Sequence, residues 1–256
     1  MPSGQKIGFL LDLEGVFHQG AELLPGAKDV VTHLRQKQIP FIFLTNTTTK
    51  SELGIRNSLN QLGLDVRERE ILTTAVMATT YLQKSGNPRT RLVVAEEIES
   101  DFSSLTIVNS NPEAVLIGDI GSRWNYDLLN SIFRDLYQGA RLIALHKSKY
   151  WQTDAGLSFD IGGFITGLEY ASGVEAEVIG KPSKTFFLEG LNFLDISSNV
   201  CYMVGDDLES DIGGAQKLGI QGVLVKTGKF REGQLDISKT KPDLIWEGIG
   251  NLLDFV

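Results

Sequence analysis

The stretch Ile7-Gly8-Phe9-Leu10-Leu11-Asp12-Leu13-Glu14-Gly15-Val16 constrains the fold more than any other in this chain. Its first half is a short apolar run, the mark of a strand buried on both faces of a sheet. The run then meets an acid, a second acid two residues later, and a glycine. A carboxylate at the end of a buried strand falls in the crevice where open α/β sheets bind ligands. Asp12 is therefore the candidate reactive group. On this stretch alone, a carboxylate that merely caps the turn after the strand remains the alternative.

The rest of the chain repeats the pattern. After a polar loop, Leu24-Pro25-Gly26 opens a helical pattern through Val30, Val31, Leu34 and Arg35, and Pro40-Phe41-Ile42-Phe43-Leu44 is the next strand. Strand, helix, strand implies parallel neighbours joined by a right-handed crossover. The second strand ends in Thr45-Asn46-Thr47-Thr48-Thr49, so it delivers hydroxyls to the same edge as Asp12. Thr47 to Thr49 read equally well as caps of the helix expected from Ser51 to Leu62, which leaves Thr45 as the better ligand-contacting candidate. A further helix is expected over Ala75 to Lys84.

The texture then changes. Leu92–Ala95, Ala114–Ile117 and Leu142–Leu145 read as short strands, with an amphipathic helix over Tyr126 to Tyr137. The glycine-rich piece from Gly156 to Gly173 holds a helix over Phe164 to Ala171. This is a second α/β unit inserted in the first. The first texture returns with a strand over Val178–Pro182 ending at Lys181, and a helix to about Leu194. A strand over Cys201–Val204 then ends in Gly205-Asp206-Asp207, and a helix runs through Ala215 to Leu218. Strands over Gly222–Val225 and Asp243–Trp246 complete the pattern.

Composition sets outer bounds. With 256 residues the chain can build one large domain or two modest ones. A formal net charge of -8 argues against nucleic acid or an anionic membrane as the main partner. The lone cysteine, Cys201, sits in an apolar run and reads as a core residue. The N-terminus lacks a signal-peptide pattern and no apolar stretch is long enough to span a bilayer, so a cytoplasmic protein is expected.

Parallel strands in one sheet put Asp12, Thr45, Lys181 and Asp206-Asp207 on a single edge. Asp12 and Asp206 supply two carboxylates for a hard divalent cation, and Mg²⁺ is commonly held by one or two carboxylates plus phosphate oxygens. With the cation present, Asp12 can act as a nucleophile toward phosphorus. Lys181 would neutralise the crowded anions and Thr45 would donate to a phosphoryl oxygen. Singly, each residue has a plain structural reading; their recurrence at successive strand ends favours the functional one.

These segments resemble the haloacid dehalogenase (HAD) superfamily of phosphotransferases. Asp12-Leu13-Glu14-Gly15-Val16 matches its first motif, Leu44-Thr45-Asn46 its second and Gly180-Lys181-Pro182 its third. Val204-Gly205-Asp206-Asp207 with Asp211 matches the fourth. The insertion lies where the superfamily's C2 caps sit, and Thr45-Asn46-Thr47-Thr48, His146-Lys147 and Gly167-Leu168-Glu169-Tyr170-Ala171 further resemble class IIA members. The implied fold is α/β: a Rossmann-like parallel-sheet core, residues 1–76 and 175–256, with an inserted α/β C2 cap domain over 77–174. The resemblance implies Asp12 as nucleophile and an aspartyl-phosphate intermediate, with Thr45, Asn46 and Lys181 at the substrate. It implies Mg²⁺ held by Asp12, Asp206 and the backbone carbonyl of Glu14, with Asp207 and Asp211 in support. Phe159-Asp160-Ile161-Gly162-Gly163 is the expected specificity loop, although Asp160 also suits a turn. His146 reads as structural. By analogy with relatives, a homodimer joined through the cap is expected.

One residue departs from the pattern. Glu14 stands where the superfamily's phosphatases usually carry an aspartate that protonates the leaving group and later activates water. The extra methylene adds roughly 1.5 Å of reach, and misplacement on that scale can cost on the order of 10²-fold in rate. Two functions therefore compete. One is a Mg²⁺-dependent phosphatase acting on a small phosphorylated metabolite, pyrophosphate or a phosphoamide. The other is a low-activity phosphate-binding or regulatory protein in which Glu14 blunts turnover. Phosphoryl transfer of the mutase type is a third reading. A signalling receiver domain is set aside, because it has neither the insertion nor the distal Gly-Asp-Asp.

Overall fold

The structure is a computed structural model that describes residues 7–153 and 156–256. In chain order, β1 (Gly8–Leu11) leads to a small hairpin of β2 (His18–Gln19) and β3 (Glu22–Leu23), then α1 (Ala27–Gln36) and β4 (Phe41–Thr45). Next come α2 (Glu52–Gln61), β5 (Ile71–Thr73), α3 (Thr74–Lys84), β6 (Thr90–Val93) and β7 (Ala114–Ile117). They are followed by α4 (Tyr126–Tyr137), β8 (Arg141–Ala144), β9 (Tyr150–Thr153), β10 (Gly156–Phe159), α5 (Ile161–Ser172) and β11 (Glu177–Val178). The chain closes with α6 (Lys184–Leu194), β12 (Cys201–Gly205), β13 (Gln221–Val225) and β14 (Leu244–Trp246).

Two compact units result. The first comprises the chain up to Thr45, Gly54–Leu72 and Lys181–Val256; the second comprises Asn46–Leu53 and Thr73–Gly180. The first unit is built on a six-stranded sheet in the order β14-β13-β12-β1-β4-β5, with β1 between β12 and β4 and parallel to both. All four residues of β1 are buried, because both sheet faces are covered. Phe9 and Leu11 pack into a cluster with Val30, Val31 and Leu34 of α1. Those α1 positions recur at helical spacing and form its apolar stripe. On the opposite face, Leu10 approaches Gly190 of α6 so closely that a Cβ there would lie 2.9 Å from Leu10 Cδ2.

The second unit carries a four-stranded parallel sheet in the order β11-β8-β7-β6. Ile132 and Leu136 of α4 pack with Ile165 and Leu168 of α5 on its core residues Val115, Ile117, Leu142 and Ala144. The Asn125 side chain caps α4 by accepting from Leu128 N–H. Helix α5 starts three residues earlier than its sequence pattern suggests, because Asp160 serves as its N-cap and accepts from Ile161 N–H. Gly173, with φ of 74°, ends it in the left-handed conformation.

Three further differences from the sequence reading bear on the site. The loop after Gly15 contains the β2–β3 hairpin, whose turn places Gly20 at φ of 57° between the paired residues Gln19 and Glu22. The helix expected through Ala215 to Leu218 instead begins as a wide helical turn at Leu208–Gly213 and continues only over Gly214–Gln216. The third correction concerns Lys181. The strand before it is two residues long and pairs with β8, so it belongs to the sheet of the second unit. Ile179 and Gly180 then donate backbone N–H groups to Ala144 and Leu145, and the chain enters the first unit at Lys181. Lys181 thus lies in the turn before α6, joined to Pro182 by a cis peptide bond, and not at the end of a strand of the large sheet. Among the described residues no helix is long and apolar enough to cross a membrane.

Candidate active site

The carboxyl ends of β1 and β12 are adjacent, with Leu11 paired to Val204. Asp12 follows β1 directly, its N–H donating to Val204 O at 2.9 Å, and Asp206 follows β12. Asp12, Asp206 and Asp211, all buried, each bring a carboxylate oxygen within 4.8 Å of the others. Asp211 reaches this point from the wide helical turn after β12. Gly205 makes room for it, since a Cβ there would sit 2.3 Å from Asp211 Oδ2.

Lys181 binds the cluster from the other side. Its Nζ lies 2.5 Å from Asp12 Oδ1 and 2.8 Å from Asp211 Oδ1, with the lysine side chain 3% exposed. Burial works to lower the ammonium pKa, but the Asp12 and Asp211 carboxylates outweigh it and hold the group firmly protonated. Asp207 caps the turn after β12, its Oδ1 accepting from Glu209 and Ser210 N–H at 2.9 and 3.0 Å. Its other oxygen pairs with Lys229 Nζ at 3.3 Å. Burial would raise the Asp207 pKa, but the lysine and these hydrogen bonds bring it below the usual carboxylate range.

Asp206 and Asp211 behave in the opposite sense. Burial, then the charges of Asp12 and Asp211, push Asp206 well above the ordinary range. Burial raises Asp211 to about 6, with Lys181 opposing and Asp12 and Asp207 adding to the rise. Four carboxyl groups thus share a buried site with two ammonium groups, an excess of acids whose ionisation a bound cation would favour. The space beside Asp206 is kept open by glycine: a Cβ on Gly15 or Gly228 would lie 2.1 or 2.0 Å from Asp206 Oδ2. An all-oxygen donor set, an excess of acids and such a cradle fit a hard divalent cation.

The other expected residues are placed as follows. Thr45 is buried at the end of β4, on the same sheet edge as Asp12. Asn46 opens the second unit, where its Oδ1 abuts Gly180 so closely that a Cβ there would lie 2.5 Å away. The Glu14 carboxylate does not join the acidic cluster. It turns to the hairpin, where Oε1 accepts from Gly20 N–H at 3.0 Å and Oε2 lies 3.2 Å from His18 Nδ1. In the second unit, His146 and Asp160 are both buried, with 3.9 Å between Nε2 and Oδ1. The Cys201 thiol is buried and pushed up to about 12 by desolvation, as a core residue should be.

Sequence reasoning missed Lys229 and Thr227. Lys229 N–H donates to Asp206 Oδ2 at 2.7 Å, and Thr227 Oγ1 donates to Gly15 O. Both follow β13, a third parallel strand ending at the same edge, and Thr227-Gly228-Lys229 after Val225 was the available signal.

Comparison with known proteins agrees with this geometry. The model of the haloacid dehalogenase-like hydrolases matches residues 9–107, and a HAD-hydrolase-like model matches residues 178–252. The chain is 38% identical over 247 residues to haloacid dehalogenase-like hydrolase domain-containing protein 2 of Bos taurus, covering 96% of this chain and 94% of the relative. It is 34% identical over 255 residues to phospholysine phosphohistidine inorganic pyrophosphate phosphatase of Mus musculus, covering 97% and 93%. Among solved structures, a 4-nitrophenylphosphatase from Thermotoga maritima superposes with a TM-score of 0.89 at 26% identity, covering 97% of each chain. The strand-end carboxylates, the inserted second unit and these full-length similarities place the chain in the haloacid dehalogenase-like hydrolase family.

Proposed function

We propose that this chain is a Mg²⁺-dependent phosphatase that works through an aspartyl-phosphate on Asp12. The observation that carries the reading is the Lys181 ammonium bound between Asp12 and Asp211, beside a third buried carboxylate, Asp206. Asp12, Asp206 and the backbone carbonyl of Glu14 would hold the ion. When bound, Mg²⁺ offsets the repulsion between the Asp12 carboxylate and an anionic phosphoryl group.

The chain's own residues account for the rest. A carboxylate oxygen of Asp12 attacks phosphorus as the bond to the leaving oxygen or nitrogen breaks, giving an acyl phosphate. Lys181 keeps Asp12 ionised and oriented, and it offers positive charge where the phosphoryl oxygens gather negative charge. Thr45 and Asn46 serve as hydrogen-bond donors to the phosphoryl group. Glu14 supplies the proton to the leaving group and then accepts one from the water that attacks phosphorus, which releases phosphate and restores Asp12. Asp207 and Asp211 fix Lys229 and Lys181. The inserted α/β unit takes the part of a C2 cap and selects the leaving group. A phosphatase named for phospholysine, phosphohistidine and pyrophosphate among the relatives, and structural neighbours named for 4-nitrophenyl phosphate, support phosphoryl hydrolysis here.

A second reading, a low-activity phosphate-binding protein, draws on the Glu14 carboxylate being engaged by His18 and Gly20. Phosphate release from a panel of phosphorylated metabolites, pyrophosphate, phosphoamides and an aryl phosphate separates the two readings. The panel is run with Mg²⁺ and with chelator, on the wild type and Glu14→Asp. Magnesium-dependent turnover by the wild type is expected. Its absence, with rescue by Glu14→Asp, would move the assignment to the binding protein.

A further inference from the structure

The side chain that departs from its family's pattern is also the one held by the hairpin that follows it. His18 Nδ1 lies 3.1 Å from Gly20 O and 3.2 Å from Glu14 Oε2. Both partners are acceptors, so Nδ1 carries the proton and donates to them. The other carboxylate oxygen of Glu14 accepts from Gly20 N–H at 3.0 Å. Glu14 is therefore held at both oxygens by the β2–β3 hairpin, and its carboxylate stands outside the cluster of Asp12, Asp206 and Asp211. An aspartate at this position would fall about 1.5 Å short of the same two donors. The additional methylene and the histidine are thus complementary.

We propose that His18 is the positioning residue of Glu14, holding its carboxylate on the hairpin so that unlatching precedes proton delivery to the leaving group. The proposal rests on Glu14 being the acid of the phosphatase reading. The latch is weak enough to open in each cycle. The Glu14 side chain is 55% exposed, and a polar contact so open to solvent contributes about 1 kcal/mol. Removing it should therefore change a rate by about fivefold.

The test compares kcat/KM for an alkyl phosphate, whose leaving group needs a proton, with that for an aryl phosphate, whose leaving group needs one far less. In His18→Phe, which keeps a ring but has no donor, the alkyl-to-aryl ratio should rise about fivefold. His18→Asn, which restores a donor, should return it toward wild type. In a Glu14→Gln background His18→Phe should leave the ratio where it was. An unchanged or lowered ratio in His18→Phe would overturn the proposal.

A second readout needs no turnover. In the ¹⁵N spectrum of the imidazoles His18 should carry a proton on Nδ1, with a signal that moves in Glu14→Gln. An Nδ1 that carries no proton, or a signal indifferent to Glu14, would equally overturn the latch. If the wild type releases no phosphate from any substrate, the phosphatase reading fails, and the imidazole spectrum still decides whether His18 holds Glu14.

Discussion

Lys181 Nζ and Asp12 Oδ1 meet at 2.5 Å across 169 residues of sequence, both side chains buried and the lysine also bound to Asp211. The bond ties the start of the chain to the turn before α6. Replacing Lys181 with methionine keeps much of the side-chain volume but leaves two buried carboxylates without their cation. Breaking a buried pair in this way costs about 3–5 kcal/mol. Lys181→Met should therefore lower the urea midpoint in chelator, and turnover should fall about 10²-fold if the group also meets developing phosphoryl charge as proposed. Parallel denaturation and phosphate-release assays check both.

The carboxylate cluster should make the metal-free protein more stable as the pH falls. Asp206 and Asp211 have folded-state pKa values raised above their unfolded values, Asp211 to about 6. The folded state then binds more protons than the unfolded one between about pH 6 and pH 4, so in that window stability rises with acidification. Asp207, with a lowered pKa, works in the opposite direction but only below the ordinary carboxylate range. In chelator, Tm should rise by roughly 3–5 °C between pH 7.5 and pH 5. Mg²⁺ should raise Tm at pH 7.5 more than at pH 5, because it competes with those protons. Differential scanning calorimetry reads both effects.

Gly15 and Gly228 adopt φ of 80° and 58° and leave Asp206 its space. Alanine at either position adds a left-handed strain of roughly 1–2 kcal/mol and a methyl group on top of Asp206 Oδ2. Gly233→Ala is the control: its φ is 81° and nothing lies near its would-be Cβ. All three variants should lose some stability. Only Gly15→Ala and Gly228→Ala should lose the Tm rise on adding Mg²⁺, measured by thermal shift against magnesium concentration.

Much of this site can be read from the sequence, because an apolar run ending in an acid is a local signal. Asp12 after β1 and Asp206 after β12 are found that way, and parallel pairing brings them together. What escapes is what tertiary context decides. The run Val178-Ile179 reads as a strand of the large sheet ending at Lys181, yet that strand pairs with β8 and the lysine reaches Asp12 from a turn. The direction of the Glu14 side chain depends on a two-residue-strand hairpin too short to show periodicity, although Gly20-Ala21 between Gln19 and Glu22 was a turn signal. Lys229 escapes because its backbone N–H, a group every residue but proline carries, meets Asp206, and its ammonium reaches Asp207 from a loop without periodicity.

The most direct test of the phosphatase assignment is to trap the covalent intermediate. The protein is mixed with Mg²⁺ and a substrate radiolabelled at phosphorus, quenched in acid within a turnover, and the label bound to protein is counted. Wild-type protein should carry label that hydroxylamine releases, as an acyl phosphate does, and that maps to the peptide containing Asp12. Asp12→Asn should carry none. Label on another residue, or phosphate release by Asp12→Asn at the wild-type rate, would contradict the assignment of Asp12 as nucleophile.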